Sequence, residues 1–438
     1  MTIDRRRMMG GAVAMAGAGF LPILRGRGEE LGSGGDATAA LRRAIDAATR
    51  AGRPTVLPAG TLRAAPLRLP DGARLIGVPG ATRLVLEGDG PLVAAEGGAR
   101  VALSGLTFDG ADRPLGGDRG LIDFSNVGEL TVSDCAIEHA GGVGLRLRGC
   151  GGWIERNSIR DIAAGGVFST DATGLVIADN RVERCGDNGV QVWRSSRGDD
   201  GTRVSGNRVG DIGNVSGGSG QYGNGVSIFR AGGVLVTNNV IRRCAFTAVR
   251  NNGGAGVVIS DNSCADLGET AIFAEFEFEG CVIADNSIDG ALCGVQMVNF
   301  ADHGGRAAVC SGNMIRNLKP LQGHSGREFG YQFGVKVEAD ATVSGNVIEG
   351  AAWVGILVGW GASLRDVAVL GNVVRDAPIG IGVSIVQGAG SAVIADNVIS
   401  GASRGAVLGM NFDEPATADL ARGAAAPPQL RISGNQAT

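Results

Sequence analysis

Apolar and polar residues alternate along this chain in short runs, and the runs recur. In the stretch GVFSTDATGLVIADNRVERCGDN, alternation covers Gly166 to Ser169, Leu175 to Ile177, and Arg181 to Val182, with Gly, Asp and Asn between them. Period-two alternation puts every second side chain on one face, so each run turns one face to a core. No run approaches helical length. One phrase comes back along most of the chain: IERNSI around Asn157, then its equivalents at Asn180, Asn207, Asn239, Asn262, Asn286, Asn313, Asn346, Asn372, Asn397 and Asn435. Most neighbouring asparagines lie 22 to 27 residues apart. A period in that range marks stacked supersecondary units. Three short strands per unit predict the coil of a parallel β-helix, each strand pairing with its equivalents in the coils above and below, about 4.8 Å away.

The eleven asparagines are expected at a tight bend between the second and third strands of each coil. Asn tolerates the left-handed backbone there, and its amide can bond the Asn of the next coil. Recurrence in nearly every coil assigns this ladder to holding the fold. A second phrase follows each asparagine: GVFS at Gly166, GVQVW at Gly189, GVSIF at Gly225, AVRNN at Ala248, AIFAE at Ala271, GVQMV at Gly294, GVKVE at Gly334. It reads as the first strand of the next rung, with Gly supplying the bend.

A chain of 438 residues often makes two or three domains, but a continuous repeat grows in one dimension as a single solenoid. The 76 glycines then mark turns rather than low complexity. Net charge is −4 and no Lys/Arg block lies outside the N-terminus, which argues against a nucleic-acid partner. At the N-terminus, Asp4-Arg5-Arg6-Arg7-Met8-Met9 precedes the weakly apolar run Gly10 to Leu24. Residues 1–25 therefore read as a twin-arginine export signal and 26–35 as a linker, with 36–438 one β-helix domain. This predicts a periplasmic or extracellular protein that meets a membrane only through the signal during export. The eight cysteines read as buried thiols rather than disulfides, because twin-arginine export carries proteins folded in a reducing cytosol. Three scattered histidines and no CxxC or HExxH predict no metal site, and no cofactor is expected. The Asp of IADN and ISDN (Asp179, Asp261, Asp285, Asp396) reads as a solvated turn residue rather than a calcium ligand.

Within the domain, residues 36–62 form a cap and its opening strands. Ala40, Leu41, Ala44, Ile45 and Ala48 have helical spacing; Asp36 or Thr38 can cap the helix start and Gly52 ends it. Residues 63–410 are coils. Residues 411–438 read as a loose Ala/Pro-rich excursion followed by a last rung at Leu430 to Ile432. The Asp36-Ala37-Thr38 helix start, the turn Pro58-Ala59-Gly60-Thr61-Leu62 and the stretch Leu69 to Gly77 resemble the opening segment of right-handed parallel β-helix proteins of the pectate-lyase-like superfamily. With the Arg pair and the asparagine repeats, nearly the whole chain resembles a family of twin-arginine-translocated repeat proteins of uncharacterised function. The fold class is thus all-β: a right-handed parallel β-helix with an internal Asn ladder and a short N-terminal capping helix. The resemblance implies saccharide binding along the outer face of the first strand column.

Insertions at Gly213–Gly223 and Leu318–Phe333 break the spacing and would wall such a face, roughly 19 Å apart. Smaller ones, Ser195–Thr202 and Ala301–Arg306, interrupt the opposite turn. Period two makes Ser227, Arg250, Phe273, Gln296 and Lys336 one outward column, and Phe229, Asn252, Glu275, Val298 and Glu338 the next, with Gln191 and Trp193 earlier in the ladder. The walls carry Tyr222, Tyr331, His324, Arg327 and Glu328. Arg250, Glu275, Lys336 and Glu338 are the catalytic candidates; Gln191, Trp193, Tyr222, Asn252, Phe273, Gln296, His324 and Tyr331 the substrate-binding ones. A uronate lyase or epimerase would use Arg250 or Lys336 to neutralise a sugar carboxylate while Tyr331, His324 or a Lys moves a proton. A glycoside hydrolase would pair Glu275 with Glu338, roughly 10 Å apart between backbones. A binding module would stack sugars on Trp193, Phe229 and Phe273. An outward ladder of mixed charge is equally the surface of a non-catalytic structural or interaction β-helix of the cell envelope. The leading expectation is a protein that binds an acidic polysaccharide, with its cleavage or epimerisation left open.

Overall fold

The computed structural model describes residues 35–318 and 332–438. The twin-arginine segment, nearly all of the linker, most of the 318–333 insertion, and His324, Arg327, Glu328 and Tyr331 lie outside the described residues. The described chain winds into a parallel solenoid of three fifteen-stranded sheets. The front sheet carries the Gly-Val phrases, the back sheet the strands before each ladder asparagine, and the side sheet the strands after it. In one coil these are Val167–Thr170, Val176–Ala178 and Arg181–Cys185.

Alternation works as the pattern requires. Ile154, Ile177, Val204, Val236, Ile259 and Ile283 stand in register on successive back-sheet strands, all buried. β-Branched side chains stack well on such a pleated surface, which is why they dominate the inward positions. The eight cysteines are free thiols and buried. Burial pushes Cys264, Cys281 and Cys310 up to about 12, so they act as small apolar groups. At the open end, the helix Thr38–Arg50 turns Leu41 and Ile45 onto the first coil. Its residue before the first turn is Ala37; Asp36 Oδ1 accepts from the Thr38 backbone at 2.8 Å, and Thr38 Oγ1 accepts from Ala65 at 2.7 Å.

The asparagine ladder is continuous from Asn157 to Asn435. Asn262 is typical: Nδ2 donates to Val236 O at 2.9 Å and to Asn286 Oδ1 at 3.0 Å, while Oδ1 accepts from the Asn239 backbone and side-chain amides at 3.0 Å. The left-handed residue of the bend is not the asparagine but its predecessor: Asp179, Asp261, Asp285 and Asp396 have φ of 55–58°, and Gly312, Gly345 and Gly371 take the same place. Those aspartates are turn residues because a short polar side chain tolerates that conformation. The Gly of the Gly-Val phrase has a different reason from the expected bend. At Gly225 a Cβ would lie 2.4 Å from Ile241 and 2.7 Å from Ala248 O, so an inside corner excludes any side chain.

The expected loose excursion after Asn411 is instead an ordered cap. Glu414–Pro415 pairs antiparallel with Gly405–Asn411, Leu420 is buried, and Asp419 accepts from the Ala406 and Val407 amides at 2.8 and 3.1 Å. These contacts satisfy backbone amides of the front strand Gly405–Asn411.

Candidate functional site

The first predicted outward column stands in register on the front sheet, and the second does so as far as Glu275; Val298 is instead buried beyond the end of its strand, and neither it nor Glu338 is in the paired register. Gln191, Ser227, Arg250, Phe273, Gln296 and Lys336 follow one another across successive strands, as do Trp193, Phe229, Asn252 and Glu275. A cavity of about 490 Å³ opens over the earlier of these rungs. Trp193, Phe229, Arg250, Asn252 and Glu275 floor it, with Gly220 and Gln221 of the 213–223 insertion on one side and Phe276 on the other. Next to Phe276, the 195–202 arm reaches across the coils: Arg197 donates to Glu277 O and lies 3.5 Å from the Glu277 carboxylate. The run Glu275 to Glu279 is therefore not a plain acidic lip. Phe278 is buried in the core, Phe276 packs on His303 at 4.8 Å, and Glu279 pairs with Arg306 at 3.0 Å.

Aromatic rings line the near end. Phe168, Trp193 and Phe229 are neighbours on three rungs, with centroids 5.0 and 5.6 Å apart. Trp193 Nε1 donates to Ser227 Oγ at 3.1 Å, which fixes the indole. Gln191 is buried beneath this row.

Arg250 occupies the centre. Its Nε donates to Glu275 Oε1 at 2.7 Å and its Nη2 to Oε2 at 2.9 Å, a bidentate pair. Its Nη1 reaches Glu269 Oε2 at 3.3 Å, and the guanidinium lies 4.9 Å from the Phe273 ring centroid. Asn252 Nδ2 also donates to Glu275 Oε1, at 3.1 Å. Gly220 presses against this fork: a methyl there would fall 2.0 Å from Arg250 Nη1. Burial pushes Glu269 up to about 7; Arg250 opposes that and Glu275 reinforces it.

A second cluster lies two rungs above Glu275. Lys336 Nζ is 3.9 Å from Glu338 Oε1 and 5.1 Å from the Trp360 ring centroid. Glu338 Oε2 accepts from the Phe300 backbone amide at 2.9 Å, at the start of the short helix Phe300–His303. Burial lowers Lys336 and raises Glu338, moving both toward their neutral forms. Gln296 bridges toward the first cluster, accepting from Thr270 Oγ1 at 3.3 Å. Neither Lys336 nor Glu338 lines this cavity. Tyr222 is in the insertion, its hydroxyl accepting from Gln221 Nε2 at 3.2 Å, and it is not one of the residues that line this cavity.

Residues 92–220 and 196–374 match the family described as the right handed beta helix region. The chain belongs to the right-handed β-helix family. No curated protein matches its sequence. Its structure is similar to the catalytic unit of a GH87 α-1,3-glucanase from Streptomyces thermodiastaticus, with 17% identity, a TM-score of 0.49 and coverage of 92% of this chain and 66% of that one. It is also similar to a mannuronan C-5 epimerase A-module from Azotobacter vinelandii (15% identity, TM-score 0.41, covering 93% and 97%) and to a bacteriophage CBA120 tailspike domain (13%, 0.46, covering 72% and 46%).

Two parts of the β-helix site escaped the sequence reading. Glu269 lies in the bend before its strand, where period-two counting does not apply. The insertion is pinned by a small buried ladder: Asn224 N donates to Asn188 Oδ1 at 2.9 Å, Asn224 Nδ2 to Gly220 O at 2.9 Å, and Thr247 Oγ1 to Asn224 Oδ1 at 2.6 Å. Its signal was present, because these three residues each precede the Gly-Val or Ala-Val phrase in successive coils. Among the described residues one group has metal-ligand types within reach, Asp109, Glu138 and His139. Arg83 and Arg160 engage its carboxylates at 2.6 Å, so it is an ion-pair network on the side sheet.

Proposed function

We propose that the front-sheet groove binds a polysaccharide, with an acidic sugar seated at Arg250, and that cleavage or epimerisation of such a chain would occur there. The observation that carries this reading is the lining: the Trp193–Phe229 aromatic pair beside an Arg250 held between Glu275 and Glu269. Aromatic faces stack on the apolar faces of sugar rings, and Asn252, Gln221 and Ser219 offer partners for hydroxyls. Arg250 then has two competing partners for its outer nitrogen, Glu269 and a sugar carboxylate. Below about pH 7 Glu269 is protonated and Arg250 is balanced by Glu275 alone. Above it, an ionised Glu269 competes for Arg250 and repels a second carboxylate. Affinity for an acidic oligosaccharide is therefore expected to fall about tenfold as pH rises through 7, and to fall with added salt. A neutral oligosaccharide of equal length should bind independently of both. Calorimetry on the two ligand types from pH 6 to pH 8 reads this directly. The same panel, scored for new unsaturated ends and for new reducing ends, separates elimination from hydrolysis. A folded protein that binds no member leaves the non-catalytic interaction β-helix in its place.

The reading includes export by the twin-arginine route to the periplasm or beyond, supported by Arg5-Arg6 before the apolar run. Replacing both arginines with lysine should leave the protein in the cytoplasm. Undiminished export of that variant by the general secretion route would refute it.

A further inference from the structure

The front sheet carries a second opening, at the cap end of the solenoid. Its volume is about 470 Å³, close to that of the first. Both are floored by the same two outward columns. Arg68, Ala94, Asp123, Arg146, Phe168 and Gln191 follow in register on one, and Glu96, Ser125, Arg148, Thr170 and Trp193 on the other. Both openings are also walled at the same turn. In an ordinary coil residues 163–166 join the side strand to the front strand. Residues 213–225 make that turn beside the first opening, and residues 110–119 beside the second. Turns lengthened over one face of a solenoid are where such folds carry binding.

The two linings differ in chemistry. No aromatic ring lines the second opening; three guanidinium groups and three carboxylates share it. Arg68 and Glu96 are 3.8 Å apart, and Arg148 and Asp123 3.5 Å. Arg148 Nε also donates to Ser125 Oγ at 3.3 Å, and Asp123 Oδ2 accepts from the Gly120 amide at 3.3 Å. Arg119 and Asp89 are exposed, and neither side chain has an ion-pair or hydrogen-bond partner among the described residues. Between the openings, the Arg146 guanidinium lies 4.0 Å from the Phe168 ring centroid, held by Asp118 at 2.8 Å and Thr170 at 2.7 Å. Phe168, Trp193 and Phe229 continue the row, so a floor of flat groups runs from one opening to the other.

We infer that the second opening is a subsite for neutral sugar residues of the same chain whose acidic residue sits at Arg250. The ligand is then a heteropolysaccharide, with neutral sugars about 19 Å from a uronate, the four-coil distance from Arg148 to Arg250. Two features select a neutral sugar. Interleaved guanidiniums and carboxylates offer donors and acceptors to neighbouring hydroxyls with no charge left over. An acidic residue anywhere in the opening would meet Asp89, Glu96 or Asp123. This subsite presupposes the saccharide groove proposed above, and length dependence separates the two.

Oligomers of gellan, in which glucuronate is spaced by neutral sugars, and of galacturonate, acidic throughout, supply the probes, each as tetramer and dodecamer. A tetramer is too short for both openings, whose outer coils, those of Arg68 and Glu275, are about 38 Å apart. The gellan dodecamer should bind at least about 100-fold tighter than its tetramer by calorimetry, the gain of a second linked site. The galacturonate dodecamer should gain only a few-fold. Arg119→Ala combined with Arg148→Ala should bring the gellan dodecamer down to the affinity of its tetramer. Asp89→Asn combined with Glu96→Gln, both exposed, should give the galacturonate dodecamer a gain of its own. No gain for gellan, an equal gain for both polymers, or a gellan gain that survives the double arginine variant would each overturn the second subsite and leave the groove at Arg250 standing. Failure of all four oligomers to bind would remove the groove, and this subsite with it.

Discussion

Arg250→Ala is expected to destabilise the protein by about 3–5 kcal/mol and to abolish saccharide binding. The stability loss follows from burial. Arg250 and Glu275 are both nearly inaccessible, and the arginine supplies both of its fork nitrogens to that carboxylate. Removing one member of a buried pair leaves the other charge without compensation, which is the costly case. Glu269 loses its counter-charge as well. Urea denaturation should therefore show a lower midpoint with an unchanged slope. Arg250→Ala combined with Glu275→Gln should recover part of the stability, since the orphaned charge is gone, without recovering binding. Arg250→Lys should fall between, because an ammonium cannot span both oxygens of Glu275. A wild-type urea midpoint for Arg250→Ala would show that the pair is not what holds this part of the groove.

Asn262→Ala should cost at least about 3 kcal/mol while leaving groove binding intact in the folded fraction. The side chain makes four hydrogen bonds, and its loss strands the Asn239 backbone amide and the Asn239 side-chain donor inside the solenoid. Each stranded buried group costs about 1–3 kcal/mol. The damage is confined to the bend between back and side sheets, across the core from the front-sheet cavity. Asn262→Asp tests the mechanism by pH. A carboxyl buried there without a cation should titrate above its ordinary value, so the variant should be most stable below about pH 4 and lose stability as pH rises. Equal stability of that variant at pH 4 and pH 7 would contradict a dry ladder. A stable Asn262→Ala protein with lost binding would move the ladder from structure to site.

The repeat made the coils, the ladder and the two outward columns legible because each is a local rule applied many times. A strand alternates by twos, a bend needs small or polar residues, and a fixed period stacks equals on equals. Those rules put Arg250, Asn252 and Glu275 on one face without any knowledge of contacts. They did not say which of the bend residues is left-handed, because Asp, Gly and Asn all satisfy a bend, and only the backbone angles separate Asp261 from Asn262. They did not show that the chain after Asn411 folds back as a cap, since its order rests on Asp419 meeting amides of a strand twelve and thirteen residues earlier. Nor did they show what Arg250 holds. Its fork to Glu275 joins residues 25 apart and its contact to Glu269 joins residues 19 apart, across the gap between two coils and under the pressure of Gly220. The sequence by itself determined the solenoid, its register and the face that carries the rare residue types, because periodic burial is encoded position by position. Only the tertiary structure decided the charge state and the partners on that face, because those depend on which side chains from neighbouring coils exclude water from one another.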